Sequence, residues 1–149
     1  MLGKIIDLPR IADPRGNLTV AEQLKSIPFE IRRVYWTYDI PAGEHRGGHA
    51  HKQCRELIVA ASGSFTVALT DGEIRRTYLL NRPYQALLVE AGVWRTLEDF
   101  SSGAVCLVLA EDYFADCPAL SDENSVPVSL AIRSIVRVQM QAYAAGITQ

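Results

Sequence analysis

His49 and His51 stand two residues apart in the segment His49-Ala50-His51. On a β-strand, residues two apart point to the same face, so both imidazoles are predicted to project the same way. Glu56 follows after four intervening residues and opens the next strand-like run, where it can face them. Two imidazoles and a carboxylate support two kinds of chemistry. They can share a metal ion. They can also take and give protons, because imidazole titrates near neutrality. Glu56 keeps three readings: a metal ligand, a carboxylate that orients an imidazole, or a buried polar residue.

The frame around these residues is specific. Gly43, five residues, His49-Ala50-His51, four residues, Glu56, six residues and Gly63 are similar to the first cupin motif in every fixed position. The glycines suit turns that a residue with a Cβ resists. The second cupin motif, Pro-x-Gly-x-x-His, has its counterpart in Glu90-Ala91-Gly92-Val93-Trp94-Arg95. Glu90 replaces the proline and Arg95 takes the ligand position. A charged guanidinium only donates hydrogen bonds and repels a cation beside it. This argues against a four-ligand metal site and leaves three ligands plus water open.

The elements that must carry these residues are strands. Phe29–Tyr38 is rich in β-branched and aromatic residues, and Glu56–Ala61, Ser64–Thr70, Glu73–Leu80, Gln85–Glu90, Val93–Leu97 and Ala104–Ala110 follow at short, regular spacing. Asp71-Gly72 is predicted to join two of them through a tight type I′ hairpin turn. No helix-length segment intervenes, which excludes βαβ units. The prediction is an all-β, cupin-type β-barrel, or jelly roll, spanning about 5–113 of a single domain 1–149. An extension over about 118–149 follows it. Ser129–Ala145 is predicted to be a short C-terminal helix packed on the barrel, entered after the Val126-Pro127 step.

Composition sets the outer bounds. A chain of 149 residues has the size of one domain and buries roughly 68–70% of its unfolded surface. A net charge of −2, with both signs interspersed, provides no footprint for nucleic acid or an anionic membrane. No apolar run approaches the roughly 20 residues of a membrane span. Asp7 interrupts the N-terminus too early for a signal-peptide core. Cys54, Cys106 and Cys117 lack Cys-x-x-Cys spacing and suit a reducing, cytoplasmic setting, each as a small core residue.

A narrower resemblance rests on Asp13-Pro14-Arg15-Gly16-Asn17-Leu18, Ile31-Arg32-Arg33-Val34-Tyr35, Arg46-Gly47-Gly48-His49-Ala50-His51-Lys52, Val93-Trp94, Asp99-Phe100-Ser101-Ser102 and Val108-Leu109-Ala110-Glu111-Asp112-Tyr113. Together these resemble the dTDP-4-oxo-6-deoxyhexose 3,4-ketoisomerases, the WxcM-like sugar cupins. The resemblance implies a cofactor-independent isomerase that moves the carbonyl of a dTDP-linked 4-keto-6-deoxyhexose from C4 to C3 through an enediol. It makes His51 the base at carbon and His49 a shuttle between the oxygens, with Tyr35 orienting a sugar hydroxyl. Arg15, Arg33, Arg46 and Arg95 become substrate-binding candidates, with Glu56 beside them. Arg33 and Arg15 have plainer readings as residues paired with neighbouring carboxylates, and Trp94 and Tyr84 as core filling rather than thymine stacking. Lys52 has the opposite parity to His51 and is predicted to leave the lumen.

Related sugar cupins exchange an N-terminal strand, and a small barrel leaves edges unpaired, so a homodimer is expected. Two rival functions stay open. One is a metal-dependent cupin, such as a dioxygenase, using His49, His51 and Glu56. The other is a non-catalytic sugar-binding cupin, against which the paired imidazoles argue.

Overall fold

In a computed structural model, residues 2–116 and 119–120 are described. They form two antiparallel five-stranded sheets packed face to face, the jelly-roll architecture expected. The first sheet runs in the order β1 (Gly3–Asp7), β9 (Gln85–Val89), β6 (Glu56–Ser62), β11 (Val105–Ala110), β4 (Arg33–Thr37). The second runs β12 (Ala119–Leu120), β5 (Arg46–His51), β10 (Trp94–Glu98), β7 (Phe65–Thr70), β8 (Arg75–Leu80). A separate hairpin joins β2 (Arg10–Ile11) to β3 (Leu18–Thr19), outside both sheets.

Alternation along the strands explains the two cores. Ile58 and Ala60 of β6 face the interior with Phe65, Val67, Leu87, Val89 and Val108. Leu57 and Val59 face the other way, where Leu8, Ile27 and Phe29 cover them. Both faces of β6 are therefore covered, and it reads as an unbroken apolar run after Glu56 rather than an alternating one. Each large apolar side chain so buried contributes roughly 1.5–3 kcal/mol. At the open end β4 alternates instead. Arg33, Tyr35 and Thr37 turn inward while Val34 and Trp36 remain exposed.

Several boundaries differ from expectation. The run Phe29–Tyr38 is a strand only over Arg33–Thr37, because Phe29 and Ile31 are spent covering the first sheet. Asp71-Gly72 does lie in a hairpin, but Thr70 pairs with Arg75, leaving a four-residue loop in place of a type I′ turn. Asp71 Oδ1 accepts the backbone N–H groups of Glu73 and Ile74, so the aspartate itself organises the wider loop. Gly63 does turn the chain as predicted. Its φ is +66°, and a Cβ there would collide with Ser101 Oγ and lie 2.9 Å from Ala104 Cα. The helix expected over Ser129–Ala145 lies outside the described residues. Among those described, no helix is long and apolar enough to cross a membrane.

Candidate active site

A cavity with about 450 Å³ of open space, part of it continuous with solvent, lies between the two sheets at their open edge. Tyr35 and Thr37 of β4, Glu56 of β6 and Cys106 of β11 enter from one sheet; Arg46 and His49 of β5 and Arg95 of β10 enter from the other. Strand parity accounts for most of these placements. It does not account for Arg46, which sits three residues before His49 yet shares its face.

The cause is a β-bulge. Arg95 pairs with His49, Thr96 with Gly47 and Leu97 with Arg46, so Gly48 has no partner on β10. Gly47 and Gly48 have φ of +79° and +69°, a region that side chains with a Cβ rarely adopt. A Cβ on Gly47 would also meet the Arg95 carbonyl oxygen at 2.9 Å. One extra residue reverses the alternation, so Arg46 and His49 both face inward.

Glu56 is the hub. It is fully buried, and Tyr35 donates its hydroxyl to Oε1 at 2.9 Å. His51 Nε2 lies 3.0 Å from the same oxygen, and Arg33 Nη2 reaches it at 3.5 Å. Arg95 Nη2 lies 2.9 Å from Oε2. Burial works to raise the Glu56 pKa, but the Arg95 charge and the bonds from His51 and Tyr35 outweigh it and hold the carboxyl at about 2. The neighbouring residue anchors the hub. Arg55 Nε donates to Glu111 Oε2 at 2.9 Å, and its Nη2 reaches Oε1 at 2.6 Å, tying the start of β6 to the end of β11.

The two imidazoles are 4.8 Å apart, centroid to centroid, with planes at 66°. They are not equivalent. His49 lines the cavity, and Arg95 Nε donates to its Nε2 at 3.4 Å. Burial, then the Arg95 charge and His51, push His49 down to about 4, so it is neutral at pH 7. His51 is buried behind it against Glu56 and does not line the cavity. Tyr35 is raised well above its ordinary pKa, by burial and then by Glu56, and is a neutral hydroxyl donor.

The structure thus brings together His49, His51, Tyr35, Glu56, Arg33, Arg46 and Arg95. Arg15 is elsewhere. Its side chain is 91% exposed on the β2–β3 turn and pairs with Asp13 at 2.8 Å. Trp94 packs with Ala50 and Leu120 as core, Tyr84 lies under Arg10, and Lys52 is exposed beyond β5. Cys54 and Cys106 are buried; burial and then Glu56 push the Cys106 thiol up to about 12, so it is no nucleophile. Thr37, Ile58 and Cys106 also line the cavity and were not singled out from the sequence as site residues. Thr37 and Ile58 were within reach of a parity argument, being two residues beyond Tyr35 and Glu56.

The donor atoms of His49, His51 and Glu56 lie within 4.8 Å of one another, close enough in type and spacing for a metal ion. The surroundings do not fit one. Glu56 Oε2 is engaged by Arg95, whose Nε also faces His49, so a second cation would sit against a buried guanidinium.

Residues 1–125 match the family model described as FdtA: WxcM-like, C-terminal. The TDP-4-oxo-6-deoxy-alpha-D-glucose-3,4-oxoisomerase of Aneurinibacillus thermoaerophilus is 43% identical over 114 residues, 76% of this chain and 82% of that protein. A 3,4-ketoisomerase from Helicobacter canadensis superimposes with a TM-score of 0.83 at 36% identity, over 88% of this chain and 98% of that one. A histidine-to-asparagine variant of the 3,4-ketoisomerase QdtA from Thermoanaerobacterium thermosaccharolyticum, in complex with TDP-4-keto-6-deoxyglucose, gives 0.81 at 30% identity, over 84% and 91%. With the family model covering most of its length and a relative this similar over most of both chains, the protein belongs to the FdtA, WxcM-like family.

Proposed function

We propose that the protein is a 3,4-ketoisomerase of a dTDP-linked 4-keto-6-deoxyhexose. The observation that carries this reading is the imidazole pair. One ring lines the cavity, the other is backed by a buried carboxylate, and both stand in a family whose named relatives catalyse this class of reaction. The proton on C3 is acidified by the C4 ketone. A base removes it, the C–H electrons form the C3–C4 double bond, and the carbonyl oxygen takes a proton to give the enediol. The C3 hydroxyl then loses its proton as C4 gains one. C3 is oxidised, C4 is reduced, and no external electron acceptor is required.

The geometry supports His49 as the base at carbon and His51 as the group serving the oxygens, the reverse of the expected roles. His49 lines the cavity and is unprotonated at pH 7, while His51 is packed behind it against Glu56. Tyr35 supplies a neutral hydroxyl for orientation, and Glu56 acts through His51 and Arg95 rather than on substrate. Buried Arg95 is matched by Glu56, which leaves the charge of Arg33 and, at the exposed mouth, that of Arg46 in excess. That excess suits a diphosphate.

The working unit is a homodimer that exchanges an N-terminal segment. The β2–β3 hairpin belongs to neither sheet and leaves Ile11 and Leu18 exposed, whereas β1 already pairs with β9 of its own chain. The hairpin is therefore the segment suited to exchange, and it would carry the partner subunit's Arg15 towards this cavity. Incubation with TDP-4-keto-6-deoxyglucose, followed by NMR of the sugar, tests the activity: a C3 ketone is expected, and unchanged substrate rejects the reading.

A further inference from the structure

We propose that Arg95 is a positioning residue, holding the imidazole of His49 as the tautomer whose Nε2 is unprotonated, from a seat that Glu56 fixes. The inference rests on the ketoisomerase reading for its catalytic meaning, and on geometry for the tautomer.

Arg95 is among the largest fully buried side chains of the molecule, at 1% exposure. Two of its nitrogens are committed. Nη2 lies 2.9 Å from Glu56 Oε2, and Nε donates to His49 Nε2 at 3.4 Å. A guanidinium has no acceptor, so the ring nitrogen opposite it must offer a lone pair, and the proton of neutral His49 sits on Nδ1. The pairing of β5 with β10 makes this meeting possible. On the neighbouring strand Arg95 stands directly across from His49, the last pair before the register shifts at Gly48. Glu56 restrains the other end of the guanidinium, so its plane cannot turn away without leaving the buried Oε2 of Glu56 without a cation.

The consequence for proton transfer is direct. At 3.4 Å the bond to Nε2 is long, well beyond the usual 2.9–3.0 Å, so the lone pair is weakly engaged and stays available to a proton from substrate carbon. Once protonated, His49 would face a guanidinium in a largely water-excluded site. Like-charge repulsion then favours return of the proton to the enediol, which is the second half of the isomerisation. The low proton affinity of His49, set by burial and by Arg95, agrees with this.

The test is the side-chain ¹⁵N spectrum of the full-length protein at pH 8. The chain has three histidines, and His45→Gln, at an exposed position outside the cavity, assigns one of them. His49 should show an unprotonated Nε2. Arg95→Met should shift it towards the Nε2-protonated tautomer, whereas Arg95→Lys, which keeps a cationic donor, should restore part of the original signal. With TDP-4-keto-6-deoxyglucose, Arg95→Met should lower kcat about 10–100-fold and leave KM within about twofold. A KM raised tenfold at unchanged kcat, with the tautomer unaltered, would make Arg95 a substrate ligand and overturn the proposal. If the methionine variant does not fold, the wild-type spectrum decides alone, since a protonated Nε2 contradicts the geometry outright. Absence of turnover in the wild-type protein would reject the ketoisomerase reading while the tautomer measurement still judged Arg95.

Discussion

Arg95 Nη2 and Glu56 Oε2 meet at 2.9 Å with both residues essentially sealed from solvent. Two charges taken out of water in this way seldom gain stability over an apolar pair, but losing one partner strands the other. The pair therefore makes sense as a device that holds neighbouring groups, the imidazoles of His49 and His51, in set orientations.

Removing the carboxylate charge exposes that dependence. Glu56→Gln keeps the shape but leaves Arg95 without its counter-ion. A loss of about 3 kcal/mol of stability is expected, read from urea unfolding, together with a fall in turnover of about 10²-fold. A variant as stable and active as wild type would mean that the hub is incidental.

Stability should fall on acidification in two overlapping windows. His49 has a folded pKa of about 4 against an ordinary 6.5, so between those values the unfolded chain binds its proton and the folded chain does not. Stability is then fully present above pH 6.5 and drains away towards pH 4. Glu56, held at about 2 against 4.5, adds a second loss as the pH falls from 4.5 to 2. The His49 share is about 2 kcal/mol after allowance for its partial exposure. Urea midpoints measured from pH 8 to pH 4 should decline in wild type, and His49→Asn should flatten the upper window.

Deuterium uptake separates the two imidazoles. In heavy water, His49→Asn should abolish washing of solvent label into C3, since an amide has no useful basicity, with turnover lowered about 10²–10⁴-fold. His51→Asn should block product while some exchange at C3 survives. Exchange at the native rate in His49→Asn and none in His51→Asn would restore the roles first expected.

Turnover should not depend on a metal. Dialysis against a strong chelator is expected to leave kcat unchanged, because Arg95 engages two of the three groups a cation would need. Activity lost on chelation and recovered with one divalent metal would instead favour the dioxygenase-like reading.

Sedimentation at micromolar concentration should show a dimer. A monomer that remains fully active would remove the role assigned to the exchanged hairpin and to the partner subunit's Arg15.

Much of this molecule was legible in its sequence because much of it depends on local geometry. The pleat alone puts His49 and His51 on one face, and Arg33, Tyr35 and Thr37 on another strand's inner face. Glycine at 63 announces a turn, and Arg95 in place of a histidine announces that the usual four-ligand site is broken. Tertiary structure decided what local parity cannot. The bulge at Gly48 brings Arg46 back to the face of His49, and only pairing with β10 shows which residue is left over. The contacts that Tyr35, Arg33 and Arg95 make with Glu56 join residues distant in the chain. Their distances follow from how two sheets pack, and no spacing along one strand encodes that.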